Sequence, residues 1–427
     1  MIISFTVENW RSFRDSATLY MSAGPERQHR DRLPFVKRFR LRILPIAAIY
    51  GANASGKSAF LNALEFLQSV VLDGAIQSMM VARFKLDPSA QSKPARFEIK
   101  LLIDEKIFTY ALSVFPDRVA EESLTLENST SIFDLFVRKE GEQMVFDEDF
   151  FKGDRRALLK LIEKSVDKNQ LFLTNAQKLG VKEFGPICNW FVEKLMVLHP
   201  SSKFQPIERF ADPDDILGAQ TSKLMRTLDT GIDHFVTRPT DIGTIPPEIE
   251  EMVKRTYKLN GNHVFRINDL IVRLSEGGEL KVERLWTVHK SRENKDVNFR
   301  LQEESDGTVR LLDLIPVFEL LKASQGRTVL VDELDRSLHT HILEWLIKDY
   351  LSACGPDQRN QLIFTTHDVN LLTQSLFRRD ELVRVQKDRD GASAINAFSD
   401  FENIRTDKDI RKLYLNGFLG GVPYILD

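Results

Sequence analysis

The chain has 427 residues, 42% hydrophobic and 28% charged, a balance that supports a large buried core without disulfide or metal staples. A net charge of −3 and a pI ≈ 6.3 exclude a protein that binds nucleic acid by bulk charge alone. Cys188 and Cys354 stand in no metal-ligand spacing, the opening MIISFTVENW is not a signal peptide, and no apolar run reaches the ~18 residues of a membrane span. A reducing, cytoplasmic setting with no membrane partner is therefore expected.

The first residues alternate, with Ile3, Phe5 and Val7 on one face and Phe13 and Ala17 to Leu19 further on, and predict a strand pair that opens a sheet. The segment from Arg27 to Arg42 is rich in arginine and lysine. It reads either as a solvated basic loop or as a contact for phosphates or an acidic partner. Ile46 to Tyr50 is a short apolar run bounded by Gly51, the pattern of a buried strand. From Lys57 the period changes: Phe60, Leu64, Leu67 and Val71 fall on one helical stripe. Three strand-like runs, FEIKLLI, FTYALSV and ESLTLE, then predict an antiparallel sheet between Phe97 and Glu127.

Residues 140–269 are mainly helical in pattern, for example at Arg156 to Val166 and Val181 to Met196. They lack the heptads of a coiled-coil arm, and read as an insertion. The last third returns to α/β. A helix over Thr308 to Ala323 is kinked or broken at Pro316, and a short buried strand spans Thr328 to Val331. A helix over Leu338 to Cys354 and a strand over Gln361 to Thr366 follow. Asp390–Gly391 is the turn of a hairpin between Leu382 to Gln386 and Ala392 to Phe398.

Three pieces carry chemistry. Gly51-Ala52-Asn53-Ala54-Ser55-Gly56-Lys57-Ser58 fits GxxxxGK[ST], in which glycines let successive backbone N–H groups converge on phosphate oxygens ahead of a helix N-terminus. Lys57 is the residue type that neutralises β- and γ-phosphates, and Ser58 supplies a hydroxyl for magnesium. Its place after a predicted strand and before a predicted helix is the context the motif requires. The apolar run Thr328 to Val331 ends in Asp332, which would support the metal through its water shell, and Glu333, which would activate water as general base. The strand before His367 ends Phe364-Thr365-Thr366.

Glu304-Ser305-Asp306-Gly307 resembles the signature turn of ABC and SMC-type ATPases, with Ser305 and Gly307 matching, Glu304 in place of leucine and Asp306 in place of a glycine. Leu334 to His339 resembles that family's D-loop, and His367 stands where it keeps a switch histidine. Asn9-Trp10-Arg11-Ser12-Phe13 resembles the segment by which SMC-like heads touch nucleotide, with Arg11 as the contact. The family's magnesium-side glutamine has no assigned counterpart, Gln91 being a poor candidate. More narrowly, Asp229 to Ile232, Arg379 to Leu382, Asp390 to Ser393 and Tyr414 to Gly417 resemble the compact ATPases of bacterial phage-defence systems, the group typified by RloA and AriA.

The resemblance implies an α/β P-loop NTPase of ABC/SMC-head type, with a mixed sheet, an antiparallel sheet in the N-terminal lobe and a mainly helical insertion. The expected parts are an N-terminal lobe at 1–139, the insertion at 140–269 and a C-terminal lobe at 270–427. ATP and Mg²⁺ are the implied cofactors. Gly51, Asn53, Ala54, Ser55, Gly56, Lys57, Ser58, Arg11, Ser305 and Gly307 would contact nucleotide; Ser58 and Asp332 would hold the metal; and Glu333, His367 and Lys57 would carry the chemistry. The implied partners are further copies of the chain, as a dimer or higher oligomer, and a protein effector such as a nuclease or toxin. A RecF-like repair ATPase that binds DNA is the alternative. A Toprim nuclease of the OLD type is disfavoured by the few residues after His367, and a GTPase by the missing NKxD motif.

Overall fold

The computed structural model describes residues 1–203, 216–241, 243, 245–260, 264–274, 279–323, 326–401 and 409–422. They form two compact units: Met1–His199 with Ser324–Leu334 and Leu351–Asp427, and Pro200–Ala323 with Asp335–Tyr350. The cuts differ from those expected. Residues 140–199 fold with the first unit, and 200–269 with the second alongside 270–323. The expected boundaries followed where motifs were absent, whereas the units follow contacts. Glu122 shows the difference: this buried carboxylate of strand Arg118–Glu127 accepts from the N–H groups of Phe172 and Leu173 at 2.7 and 3.0 Å, fastening helix Phe172–Lys178 to the N-terminal residues.

The first unit holds two six-stranded sheets. One is wholly antiparallel, in the order Ala17–Tyr20, Ile2–Glu8, Ala95–Ile103, Lys106–Phe115, Arg118–Glu127, Ile132–Lys139. The strand pair and the three predicted runs are there, and Ile132–Lys139 adds a strand beyond those expected. Asp104 and Glu105, both at positive φ, make the tight turn after Ile103.

The other sheet runs Leu195–Leu198, Thr328–Val331, Gln361–Thr365, Ile46–Tyr50, Leu382–Lys387, all parallel, with Ser393–Ala397 antiparallel at the edge. Thr328–Val331, Gln361–Thr365 and Ile46–Tyr50 are buried at every position, as parallel strands covered on both faces must be. Helix Lys57–Asp73 reaches the antiparallel sheet through aromatic contacts: Phe60 against Phe5 at 5.4 Å and Phe66 against Phe97 at 5.1 Å.

Val181 to Met196 is not the single helix expected. A turn at Lys182–Phe184, a helix at Gly185–Asn189 and a π-turn at Trp190–Lys194 lead into strand Leu195–Leu198. Its four residues continue the apolar pattern of the helix before them, so periodicity alone does not separate the two.

The second unit has helix Ile216–Thr227 and a five-stranded antiparallel sheet. Leu280–Lys290 pairs with Ile232–Pro239, Leu270–Leu274 and Asp296–Arg300, and Val264–Ile267 extends the edge. Helix Asp306–Ala323 runs through Pro316 without interruption, and helix Thr340–Ser352 follows. Among the described residues, no helix is long and apolar enough to cross a membrane.

The basic segment is partly consumed by the fold. Arg32 is buried against Glu381, and Arg42 stacks on Phe35 at 4.4 Å. Arg378, fully buried, grips Asp380 at 2.7 and 2.8 Å and donates to the carbonyls of Glu26 and Gln28, which pins this segment to the lead-in of strand Leu382–Lys387. Burial pushes the Glu381 carboxyl up to about 7, against the pull of the Arg32 guanidinium. A carboxyl raised on folding contributes stability that is full below its ordinary value of ~4.3 and is lost as pH rises through about 7. Glu381→Gln should therefore flatten the fall in melting temperature between acid and neutral pH, a difference that paired thermal melts across that window measure.

Candidate nucleotide-binding site

Strand Ile46–Tyr50 passes into the glycine loop, and helix Lys57–Asp73 starts from Gly56, which has φ 117°. Only glycine fits at 56: a Cβ there would stand 2.5 Å from Ser393 Oγ and 2.8 Å from Ser12 Oγ. At Gly51 a Cβ would stand 2.3 Å from the carbonyl of Val385. Lys57 is buried and its ammonium donates to the carbonyls of Gly51 and Ala52 at 2.8 and 3.0 Å, so the side chain lies back along its own loop. Ser58 is exposed in the first helical turn, where backbone N–H groups have no intrahelical acceptors.

The loop opens on a hollow of about 450 Å³. Arg11, Ser12, Asn53, Ala54, Ser55, Gly56, Lys57, Ser58, Ala59, Glu333 and His367 line it. The topology explains the meeting. The loop follows Ile46–Tyr50, Glu333 follows Thr328–Val331 and His367 follows Gln361–Thr365, three parallel strands that deliver their carboxyl ends to one edge.

Asp332 and Glu333 are held by Thr365, two residues before His367. Thr365 Oγ1 donates to the buried Asp332 carboxylate at 2.6 Å and accepts from the Glu333 N–H at 2.7 Å. Glu333 has φ 50°, a left-handed conformation that costs a non-glycine residue ~1 kcal/mol or more and is kept where surrounding bonds impose it. His367 is exposed, and beside it the Thr366 N–H donates to the carbonyl of Ile49, locking its strand to the loop's strand.

Arg11 also has a positive φ, 47°. Its N–H donates to the carbonyl of Ala82, and its guanidinium lies 5.6 Å from the ring of Trp10. Trp10 in turn donates to the carbonyl of Ala59 at 3.1 Å, which seats this segment on the first turn of the helix. Ser393 is a second residue to which the sequence assigns no role at the site. Its hydroxyl bonds Ser12 Oγ at 2.8 Å and the carbonyl of Ser55 at 2.6 Å, and its N–H donates to the carbonyl of Ser12. The edge strand thus clasps the Arg11 segment against the glycine loop. Gln91 is not in the lining; its amide donates to the carbonyl of Phe84 at 2.5 Å.

Ser305 and Gly307 belong to the second unit. Ser305 Oγ accepts from the Thr308 N–H at 3.1 Å and bonds Thr308 Oγ1 at 2.8 Å, capping helix Asp306–Ala323. A Cβ on Gly307 would stand 2.6 Å from the carbonyl of Ser337, so glycine allows the turn to press on the backbone at Ser337. Glu304, at the usual leucine position, is pinned by Thr287 and by His289 at 2.7 Å.

The loop cradle, the lysine and the paired carboxylates fit a nucleoside triphosphate with a divalent cation. None of the curated proteins compared with the chain matches it. The solved structures to which the chain is similar include two SMC heads. An SMC head domain from Thermotoga maritima shares 13% identity, with 93% of this chain and 98% of that one covered and a TM-score of 0.39. An SMC head bound to the C-terminal winged-helix domain of ScpA shares 15% identity, with 93% and 97% covered and a TM-score of 0.41. Residues 46–373 match the family model described as "AAA domain, putative AbiEii toxin, Type IV TA system". With most of its length inside that match, the chain belongs to this family of AAA domains.

Proposed function

We propose that the chain is an ATP-hydrolysing switch whose copies close around ATP and thereby control a protein effector in bacterial anti-phage defence. The convergence of Lys57, Ser58, Glu333 and His367 on one hollow at the carboxyl edge of a parallel sheet carries this reading. The loop N–H groups and Lys57 bind the phosphates. Ser58 and Asp332 are the residues that would hold magnesium, whose charge would offset that of the β- and γ-phosphates. Glu333 takes a proton from the attacking water, and His367 contacts the γ-phosphate. Arg11 flanks the nucleotide.

Ser305 and Gly307 are the residues offered to a second copy, at the start of an 18-residue helix whose N-terminus favours an anion. The family description, with its toxin and toxin–antitoxin terms, supports an effector partner and a defence role. The DNA-repair alternative draws on the Arg27 to Arg42 segment, in which Arg32 and Arg42 are engaged by the fold.

Light scattering on the Glu333→Gln chain tests the assembly. Its mass should at least double on adding MgATP. Ser305→Asp keeps a helix cap but sets a carboxylate against phosphate, and should abolish the increase. A mass indifferent to MgATP would rule out the closing switch.

A further inference from the structure

In the sheet of the second unit, Arg284 and Trp286 share one face of strand Leu280–Lys290, since alternate residues of a strand point the same way. Arg238 lies directly opposite Arg284 on one neighbouring strand, and Arg300 directly opposite Trp286 on the other. Together with Pro239 and Thr240 these residues line a hollow of about 380 Å³. The guanidinium carbons of Arg238 and Arg300 lie 5.8 and 5.7 Å from the centroid of the Trp286 ring, so the indole steadies a cation from either side.

Like charges directly opposite on paired strands destabilise a sheet by some tenths of a kcal/mol. Here little offsets them. Among the described residues, Asp269 is the one carboxylate in ion-pair reach of the three arginines, 3.6 Å from Arg284. The buried Nε of Arg284 makes no hydrogen bond among those residues. Three guanidiniums around one hollow, with one carboxylate between them, suit an oxyanion with several acceptor oxygens. The planar fork of arginine matches phosphate in particular.

We infer that the hollow formed by Arg238, Arg284, Arg300 and Trp286 is an anion site that takes a phosphate group. That phosphate belongs either to the backbone of a nucleic acid or to a small phosphorylated molecule. This inference does not rest on the switch reading, and its test silences the glycine loop so that the two fail separately.

In the full chain carrying Lys57→Ala, two probes are titrated: a short fluorescein-labelled single-stranded oligonucleotide by anisotropy, and inorganic pyrophosphate by calorimetry. At least one should bind, and adding Arg238→Gln with Arg300→Gln should weaken it about tenfold or more. For the oligonucleotide, the slope of log affinity against log salt should also fall by ~1.4, because two phosphates of a single strand would no longer be neutralised. Lysines at both positions should restore part of the affinity, which separates missing charge from a damaged fold. Binding of the oligonucleotide alone identifies a nucleic acid as the source, and binding of pyrophosphate alone a small ligand. Binding of neither probe, an unchanged affinity in the double variant, or equal displacement by poly-glutamate would overturn the assignment.

Discussion

Glu333→Gln should slow ATP turnover by about 10²–10⁴-fold while leaving ATP affinity nearly unchanged, the loss expected when a general base is removed but its shape is kept. The geometry points to this residue in particular. Glu333 lines the hollow at the end of its strand, and its backbone is held at φ 50° by the bond from its N–H to Thr365. A side chain imposed on a strained backbone is aimed, and glutamine at the same position would be aimed alike. Asp332, one residue earlier, is buried and engaged with Thr365 Oγ1 at 2.6 Å, which suits support of a metal better than proton transfer. Phosphate release gives the turnover, and equilibrium binding of a fluorescent ATP analogue gives the affinity.

Gly56→Ala should weaken ATP binding about 30- to 100-fold without touching a single phosphate-binding side chain. Two costs combine: a φ of 117°, which an L side chain rarely adopts, and a Cβ 2.5 Å from Ser393 Oγ and 2.8 Å from Ser12 Oγ. Relief requires the loop to move away from the edge strand, breaking the bond from Ser393 to the carbonyl of Ser55, and a penalty of ~2–3 kcal/mol follows. Ser393→Gly would remove the nearer collision but leave that with Ser12 Oγ and the backbone strain, so in the double variant affinity should recover only in part. The same binding titration reads both, and an affinity for Gly56→Ala within about twofold of wild type would show that the loop adapts freely.

Much of the candidate site is legible in the sequence because its logic is local. The apolar runs Ile46 to Tyr50, Thr328 to Val331 and Gln361 to Thr365 read as buried strands. The residues that follow each run are those that the parallel sheet places along one edge. The hairpin at Asp390–Gly391 is legible for the same reason: a turn residue at positive φ between two strands. Contacts between distant segments are not legible. Thr365 and Ser393 are ordinary hydroxyls in sequence, and acquire their roles only when the sheet sets them beside Glu333 and Ser55. The sheet of the second unit is hidden in sequence, its first strands lying in a stretch that reads as a helical insertion. Its longest strand, LKVERLWTVHK, alternates imperfectly, and much of its polar content is arginine, lysine and glutamate, which helices also favour.

The most direct test is a phosphate-release assay on the wild-type chain and Glu333→Gln side by side, with MgATP. The wild type should turn over steadily, and the variant should bind ATP yet fall at least a hundredfold below it. A variant that hydrolyses ATP at the wild-type rate would contradict the role given to Glu333, and with it the mechanism built on this hollow.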